Sequence, residues 1–454
     1  MKNLLSLLAA FLLLPALAGA NDSSQNWPQW RGPLASGVAP EGNPPLSWSE
    51  SENVRFKVEI PGRGHASPVV WGDRIFVLTT IDVEAEAPPP APAAGDATPP
   101  WARGVKPAKQ RFVVMALSRR DGSVLWQRTA VETTPHEGHH LDATWASASP
   151  VTDGQRLFAS FGSNGLFAYD LDGNLLWQVD LGDMSTRNGF GEGSSPALHG
   201  DTLVVNWDHE GDSFIVALDA TTGKERWRRA RPDEITSWAT PLIVEHDGRL
   251  QVVVAATGFS RGYDLATGEE IWRAAGMTTN VIPSPVTADG VVYLMSGFRG
   301  NMLQAVSLAK AKGDVTGGEA ILWTHDRHTP YVPSPVLYGD KLYFLKHFSN
   351  ILSCLDARSG KVLFTEQRLE GITNVYASPV AAAGRIYIVD RDGDTVVLAH
   401  GDELKVLAHN RLEDGFEASP AIVGDEIYLR GRKHLYAIAA PAPTTSTSDT
   451  QSGN

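Results

Sequence analysis

Eight times along this chain a small residue followed by proline introduces a β-rich run, as in "SPVVWGDRIFVLTT", "TPLIVEHDGRLQVVVAAT" and "SPVLYGDKLYFLKH". The prolines stand at 68, 150, 196, 241, 285, 335, 379 and 420, so that apart from one gap of 82 the spacing runs from 41 to 50 residues. A unit of this length cannot bury its apolar face alone and must stack on its neighbours. A chain of 454 residues, which by length would suggest two or three domains, is therefore expected to fold as one repeat array.

A second frame follows each run. It is clearest in "ALDATTGKERW", Ala217 to Trp227, and recurs as "ALSRRDGSVLW" (116 to 126), "GYDLATGEEIW" (262 to 272), "CLDARSGKVLF" (354 to 364) and, shortened, "AYDLDGNLLW" (168 to 177). Gly permits the turn dihedral, Asp bonds the turn amides, and a large aromatic fills the gap between sheets. Each repeat reads as a four-stranded antiparallel blade, and a period near 45 residues reads as a propeller. The last repeat ends at "HLYAIAA" without an outer strand, while "NVRFKVEIPG" (53 to 62) aligns with "NLLWQVDLG" (174 to 182) and puts Phe56 in the place of Trp177. The expected fold is an all-β, eight-bladed propeller whose ring is closed by an N-terminal strand in the last blade, leaving no open edge.

The domain plan is then a signal peptide at 1–20, one propeller over 21–440 and a disordered polar tail at 441–454. The signal assignment rests on Lys2, the apolar "LLSLLAAFLLLPALA" and the small residues Ala18, Gly19 and Ala20. It implies a periplasmic or secreted protein. No later apolar run is long enough for a membrane helix, so no membrane anchor is expected. Residues 82–110, Pro- and Ala-rich without apolar period, read as an insertion in the first blade that accounts for the wide gap. One cysteine, Cys354, excludes an intrachain disulfide, and a net charge of −13 disfavours nucleic acid as a partner. The expected state is a monomer.

The full Ala-x-Asp-x-x-Thr-Gly-x-x-x-Trp frame at Ala217 to Trp227 resembles the docking motif of pyrroloquinoline quinone (PQQ)-type propellers. The stretches "FGEGSSPALHGDTLVVNWDHEGDSFIVALD" and "RLEGITNVYASPV" look like exported bacterial PQQ-like repeat proteins. That repeat type hosts quinoprotein dehydrogenases and also non-enzymatic scaffolds, including the propeller lipoprotein of outer-membrane protein assembly. The resemblance implies for the enzymes a vicinal cysteine pair against PQQ, a Trp opposite, and Glu, Asn and Asp for calcium and base chemistry. A single cysteine cannot form that pair, although Trp238 with Glu192 imitates part of such a site.

The string "HEGHH", His136 to His140, matches a zinc-protease pattern that requires a helix. Pro135, Gly138 and the strand that follows place it instead in the loop between blades one and two. A loop metal site using His136, His139, His140 and Asp142 is the alternative to solvated loop histidines. The same face of the ring should gather Arg63, His65, Arg187, Asn188, Glu192, Asp208, His209, Trp238, Arg261 and Arg299, joined by Glu210, Glu234, His347 and Arg391. Polar and aromatic groups converging on an axis suit a small ligand or a protein partner. No cofactor is expected for such a binding or scaffold propeller; PQQ with calcium belongs to the alternative, an alcohol or sugar dehydrogenase.

Overall fold

The computed structural model describes residues 25–83 and 104–441. The expected signal peptide, the body of the insertion and the tail from 442 onward lie outside the described residues. Eight sheets form the ring, seven of four strands and one of five. Numbering blades from Pro68, blade 3 shows the pattern from the axis outward: Ala197–His199, Thr202–Trp207, Phe214–Asp219 and Glu225–Ala230, antiparallel throughout. Thr202–Trp207 is buried along its whole length because sheets cover both faces, which is why such strands read as unbroken apolar runs. The outer strand Glu225–Ala230 instead alternates, with Trp227 turned inward.

The repeated frame is a clasp between blades. Asp219 Oδ1 accepts from the amides of Thr221 (3.1 Å) and Thr222 (2.9 Å), and Gly223 takes φ 71° to close the turn. A Cβ on Gly223 would stand 2.7 Å from the indole of Trp177, so the turn of blade 3 seats directly on the aromatic of blade 2. The indole Nε1 then donates to Ala220 O at 3.0 Å. Trp126, Trp227 and Trp323 repeat the bond to Leu171, Leu265 and Arg358 at 2.8 to 3.1 Å. Opposite each aromatic is a small residue: Trp126 faces Ala116, Trp177 Ala168, Trp227 Ala217 and Trp272 Gly262. Phe56 faces Ala437 in the same way, in the strand Val54–Glu59 that completes blade 8.

The residues before the eight prolines have a role beyond size. The amide of Ser67 donates to Ser149 Oγ, Ser149 to Ser195, Ser195 to Thr240, Thr240 to Ser284, Ser284 to Ser334, Ser334 to Ser378 and Ser378 to Ser419, at 2.9 to 3.1 Å. Seven of eight seams are thus tied by the same amide-to-hydroxyl link. The 50-residue gap also has a cause: between Ser307 and Ile321 the chain leaves blade 5 and lays Gly313–Asp314 parallel to Trp272 and Arg273, giving blade 4 its fifth strand. Pairing in blade 1 extends to Asp82 and Gln110, which composition had assigned to the insertion.

The N-terminal segment does more than supply a strand. Trp27 exchanges backbone bonds with Val70 in blade 1, Pro28 O accepts from Thr152 in blade 2, Gly37 and Ala39 bond Ala381 in blade 7, and Asn43 donates to Gly424 O in blade 8. These partners lie on or beside innermost strands, whose free edges face the axis. Residues 27–43 therefore run through the axial space and back. At the far end of the excursion Arg31, 2% exposed, donates to Pro335 O (2.7 Å) and Pro379 O (2.6 Å), locking the segment to blades 6 and 7.

Candidate functional site

The connections from outer to next inner strand, and from second to third strand, emerge together on one face. Across it runs a row of half-buried aromatics. Phe298 stacks on Tyr331 (centroids 4.7 Å), Tyr331 meets Phe348 (6.3 Å), and Phe348 meets Tyr376 (5.4 Å). Arg391 lies 4.4 Å over the Tyr376 ring and bonds Asp142 at 2.7 Å, while the Tyr376 hydroxyl donates to the other Asp142 oxygen. Beyond Asp142 the row resumes with His140, Phe190 and Trp238 at successive centroid distances of 5.5 and 6.5 Å. Asp142 belongs to the loop between blades 1 and 2, and Tyr376 and Arg391 to blade 7 and its entry. Those blades are not neighbours, so the contact spans the mouth of the axis. The fixed network holds Asp142 ionised: burial opposes its charge, and Arg391, His140 and Tyr376 together hold its carboxyl below the ordinary range.

The histidine string is extended, not helical. His139–His140 pairs with Gly104–Val105, so the returning end of the insertion is sewn to this loop. The imidazoles serve separate partners: His136 Nε2 bonds Met184 O at 2.7 Å, His139 Nδ1 bonds His140 O at 2.7 Å, and His140 Nδ1 accepts from the Asp142 amide at 3.1 Å. Burial lowers the pKa of His139. Glu137 Oε2 accepts from the Thr186 amide at 2.9 Å, a structural bond across to the next loop. Among the described residues no three of His, Cys, Asp and Glu are gathered as metal ligands.

Glu192 stands under this loop between two small clefts, one lined with Trp145, Phe161, Asn206 and Trp207, the other with His136, Glu137 and Asn164. Each has a volume of about 20 Å³, room for one or two waters. Ser163 donates to the carboxyl twice, from its amide (2.8 Å) and its hydroxyl (2.5 Å). Burial nevertheless pushes the Glu192 carboxyl up to about 7, partly offset by Ser163 and by His136, with nearby Glu137 adding to the rise. A folded value above the unfolded one means that the fold holds a proton that the unfolded chain has lost. Stability therefore falls as pH rises from about 4.5 to about 7 and stays lower above. Glu192→Gln should remove that fall and be more stable than wild type at pH 8 by roughly 1–2 kcal/mol in denaturant titrations. Parallel pH profiles for the two proteins would count against a buried neutral carboxyl.

The other expected residues divide into two groups. Arg63, Asn188 and Arg299 are exposed, and His65, Arg187 and Trp238 are half-buried, all on the axial face. His65 lies 3.7 Å from Glu417, and its pKa is lowered to about 4, chiefly by burial, with Arg391 and Arg430 adding to the fall and Glu417 opposing it. Asp208, His209 and Arg261, expected on the ligand face, are instead interior. Asp208 grips Arg231 through two bonds of 2.6 and 3.0 Å, both side chains fully buried. His209 Nδ1 accepts from the Ser185 amide at 3.1 Å. Arg261 sits within the strand Ser260–Asp264 and is neutralised by Glu234, Asp233 and Glu270. The sequence reading omitted Phe190, Phe298, Tyr331, Phe348 and Tyr376. The available signal was an aromatic two to four residues before several of the Ser/Thr-Pro pairs, as at Trp238, Tyr331 and Tyr376.

The residues present do not fit PQQ. Cys354 is buried within a strand of blade 6 opposite Phe364, and a single cysteine cannot supply a cysteine pair. The indole of Trp238 is tied by Nε1 to Gly191 O at 2.7 Å and packs against Phe190, and the clefts beside Glu192 are water-sized. Comparison with known proteins gives the lineage. A family model described as outer membrane protein assembly factor BamB matches residues 46–172, 166–275 and 211–441. The chain belongs to this BamB-type PQQ-like propeller family. The match to the family starts after the axial segment. Among solved structures the BamB-type chain is similar to BamB from Moraxella catarrhalis (TM-score 0.53, 14% identity, 84% of this chain and 95% of that one). It is also similar to the quinohemoprotein alcohol dehydrogenase ADHIIG from Pseudomonas putida (TM-score 0.55, 12% identity, 93% and 82%). Both likenesses show the fold alone. Methanol dehydrogenase [cytochrome c] subunit 1 of Methylobacterium organophilum is 29% identical over 147 residues, 27% of this chain and 22% of that protein. The BamB-type chain thus matches about a fifth of that enzyme's length.

Proposed function

We propose that this chain is an exported, non-enzymatic propeller that binds a protein partner through its axial face. The observation that carries the reading is the aromatic row: Phe298, Tyr331, Phe348 and Tyr376, continued past Arg391 and Asp142 to Phe190 and Trp238. Aromatic and Arg side chains in contact, half-exposed and ringed by polar loops, make up the centres of protein interfaces. A stable blade does not require them, since the Trp clasps already seal the seams. The membership in a family described by an outer-membrane assembly factor supports a protein as the partner and an exported location. The second reading, a dehydrogenase, draws on one observation: a Glu192 carboxyl that titrates near neutrality has the proton affinity of a general base.

A photo-crosslinking amino acid at Arg299 or Arg63, in cells that make the protein naturally, should yield a defined protein adduct. The same group at Lys224, on the opposite face, should yield none. Equal labelling from both faces would remove the axial face from the proposal. Purified protein supplied with PQQ and calcium should not reduce dye with alcohols or sugars. Dye reduction that disappears in Glu192→Gln would establish the second reading.

A further inference from the structure

Seven seams carry the amide-to-hydroxyl link, and the eighth, between blades 8 and 1, does not. Ser67 Oγ is buried there without a partner. The same seam contains Arg430, the last residue of the strand Glu426–Arg430 and 1% exposed. Its Nη1 donates to Gly431 O at 2.5 Å, but Nε and Nη2 have no acceptor. Register and charge put both groups at this seam, since the Arg430 charge acts on His65, two residues before Ser67. Ala421 pairs with Tyr428, which sets Arg430 beside Ser419, the residue whose amide would continue the links to Ser67. The Tyr428 hydroxyl meets Arg119 of blade 1 at 2.9 Å, and residues two apart share a strand face, so Arg430 also faces blade 1.

The neighbouring carboxylates are committed elsewhere. Glu417 is held by Arg391 (3.0 Å), Arg432 and His65. Asp414 accepts from Gly415 (2.9 Å), Lys433 (3.2 Å) and the amide and ring of His434 (3.0 and 3.2 Å). Burial without a bonded counter-charge pulls Arg430 down to about 10, with Asp414 only moderating the fall. An unpaired buried guanidinium costs several kcal/mol, and each unmet donor adds to it. The unpartnered N–H groups on Arg430 Nε and Nη2 can only donate, and the Ser67 hydroxyl can donate beside them, so the seam calls for an acceptor that also carries negative charge. Water meets the first need and not the second.

We propose that the seam between blades 8 and 1 holds one small inorganic anion of chloride size, bound by Arg430 Nε and Nη2 and by the Ser67 hydroxyl. The ion takes the place of the missing eighth link where the two ends of the chain meet.

The test uses the full-length protein, transferred to sodium gluconate and titrated with sodium chloride at constant ionic strength. The melting temperature should rise and saturate, because an ion that binds only the folded state stabilises it by mass action. Arg430→Met should melt independently of chloride, and Ser67→Ala should need about tenfold more chloride for half the effect. If Arg430→Met does not fold, the Ser67→Ala shift and diffraction decide. Crystals soaked in bromide should give an anomalous peak at hydrogen-bond distance from Arg430 Nε and Nη2. A melt indifferent to chloride in wild type, an equal chloride response in the variants, or waters without bromide at Arg430 would each overturn the proposal.

Discussion

A chain that begins at residue 61 is expected to lose its cooperative melt and to aggregate, whereas one that begins at residue 50 should still melt cooperatively at a lower temperature. The first deletion removes Val54–Glu59 and leaves the strand His434–Ala439 as an unpaired edge, a template for other chains. The second keeps that strand but empties the axis of Trp27, Val38 and Arg31, all buried. Phe56→Ala alone should cost about 3 kcal/mol or more, since it vacates the aromatic slot opposite Ala437 and over Gly122. Calorimetry with light scattering reads all three. A chain from residue 61 that melts like the full-length protein would show that the ring closes without this strand.

The second large effect is at Asp208. Asp208→Ala strands the Arg231 guanidinium, which is fully buried and otherwise has the Tyr263 hydroxyl at 2.6 Å, and should cost about 3–5 kcal/mol in urea titrations. The double change Asp208→Leu with Arg231→Met should recover most of that, because it leaves no charge unpaired. A loss below about 1 kcal/mol in the single variant would mean that water reaches the pair. This expectation also bears on binding studies. Loss of partner binding in an Asp208 variant reports a weakened fold before it reports the face, and variants of exposed residues such as Arg63 and Arg299 test the face itself.

The ring was legible because the forces that make it repeat in sequence. Every blade opens on an inner proline and seven of the eight carry an outer aromatic, blade 7 having Ala408 in that slot, so the Ala217–Trp227 pairing could be carried to Phe56 and Ala437. The axial segment was not legible for the opposite reason: "NWPQWRGPLASGV" has no counterpart elsewhere, and its anchor Arg31 bonds carbonyls 304 and 348 residues away. Blade topology decides on which face a loop emerges, and that much was legible for the loops that carry Arg187, Glu192 and Trp238. Whether a side chain then points outward depends on partners from other loops. Asp208 and Arg231 lie in different connections 23 residues apart, and nothing in either stretch marks them as a pair. The serines before the prolines were seen as small, and their hydroxyls matter as acceptors.

The closing strand sets the order of assembly. Phe56 must wait for Ala437, so a strand near the start of the described residues stays unpaired until one near their end is made. The entropy of joining ends about 380 residues apart is about 5 kcal/mol, only about 2 kcal/mol more than a hop between adjacent blades. Equilibrium stability is therefore little affected, and the burden falls on time. Until the final blade is sealed, the chain presents an open sheet edge at blade 8 and an unfilled axis, the two surfaces most prone to capture another copy. A propeller built this way folds safely only where new chains are dilute or shielded during synthesis and passage.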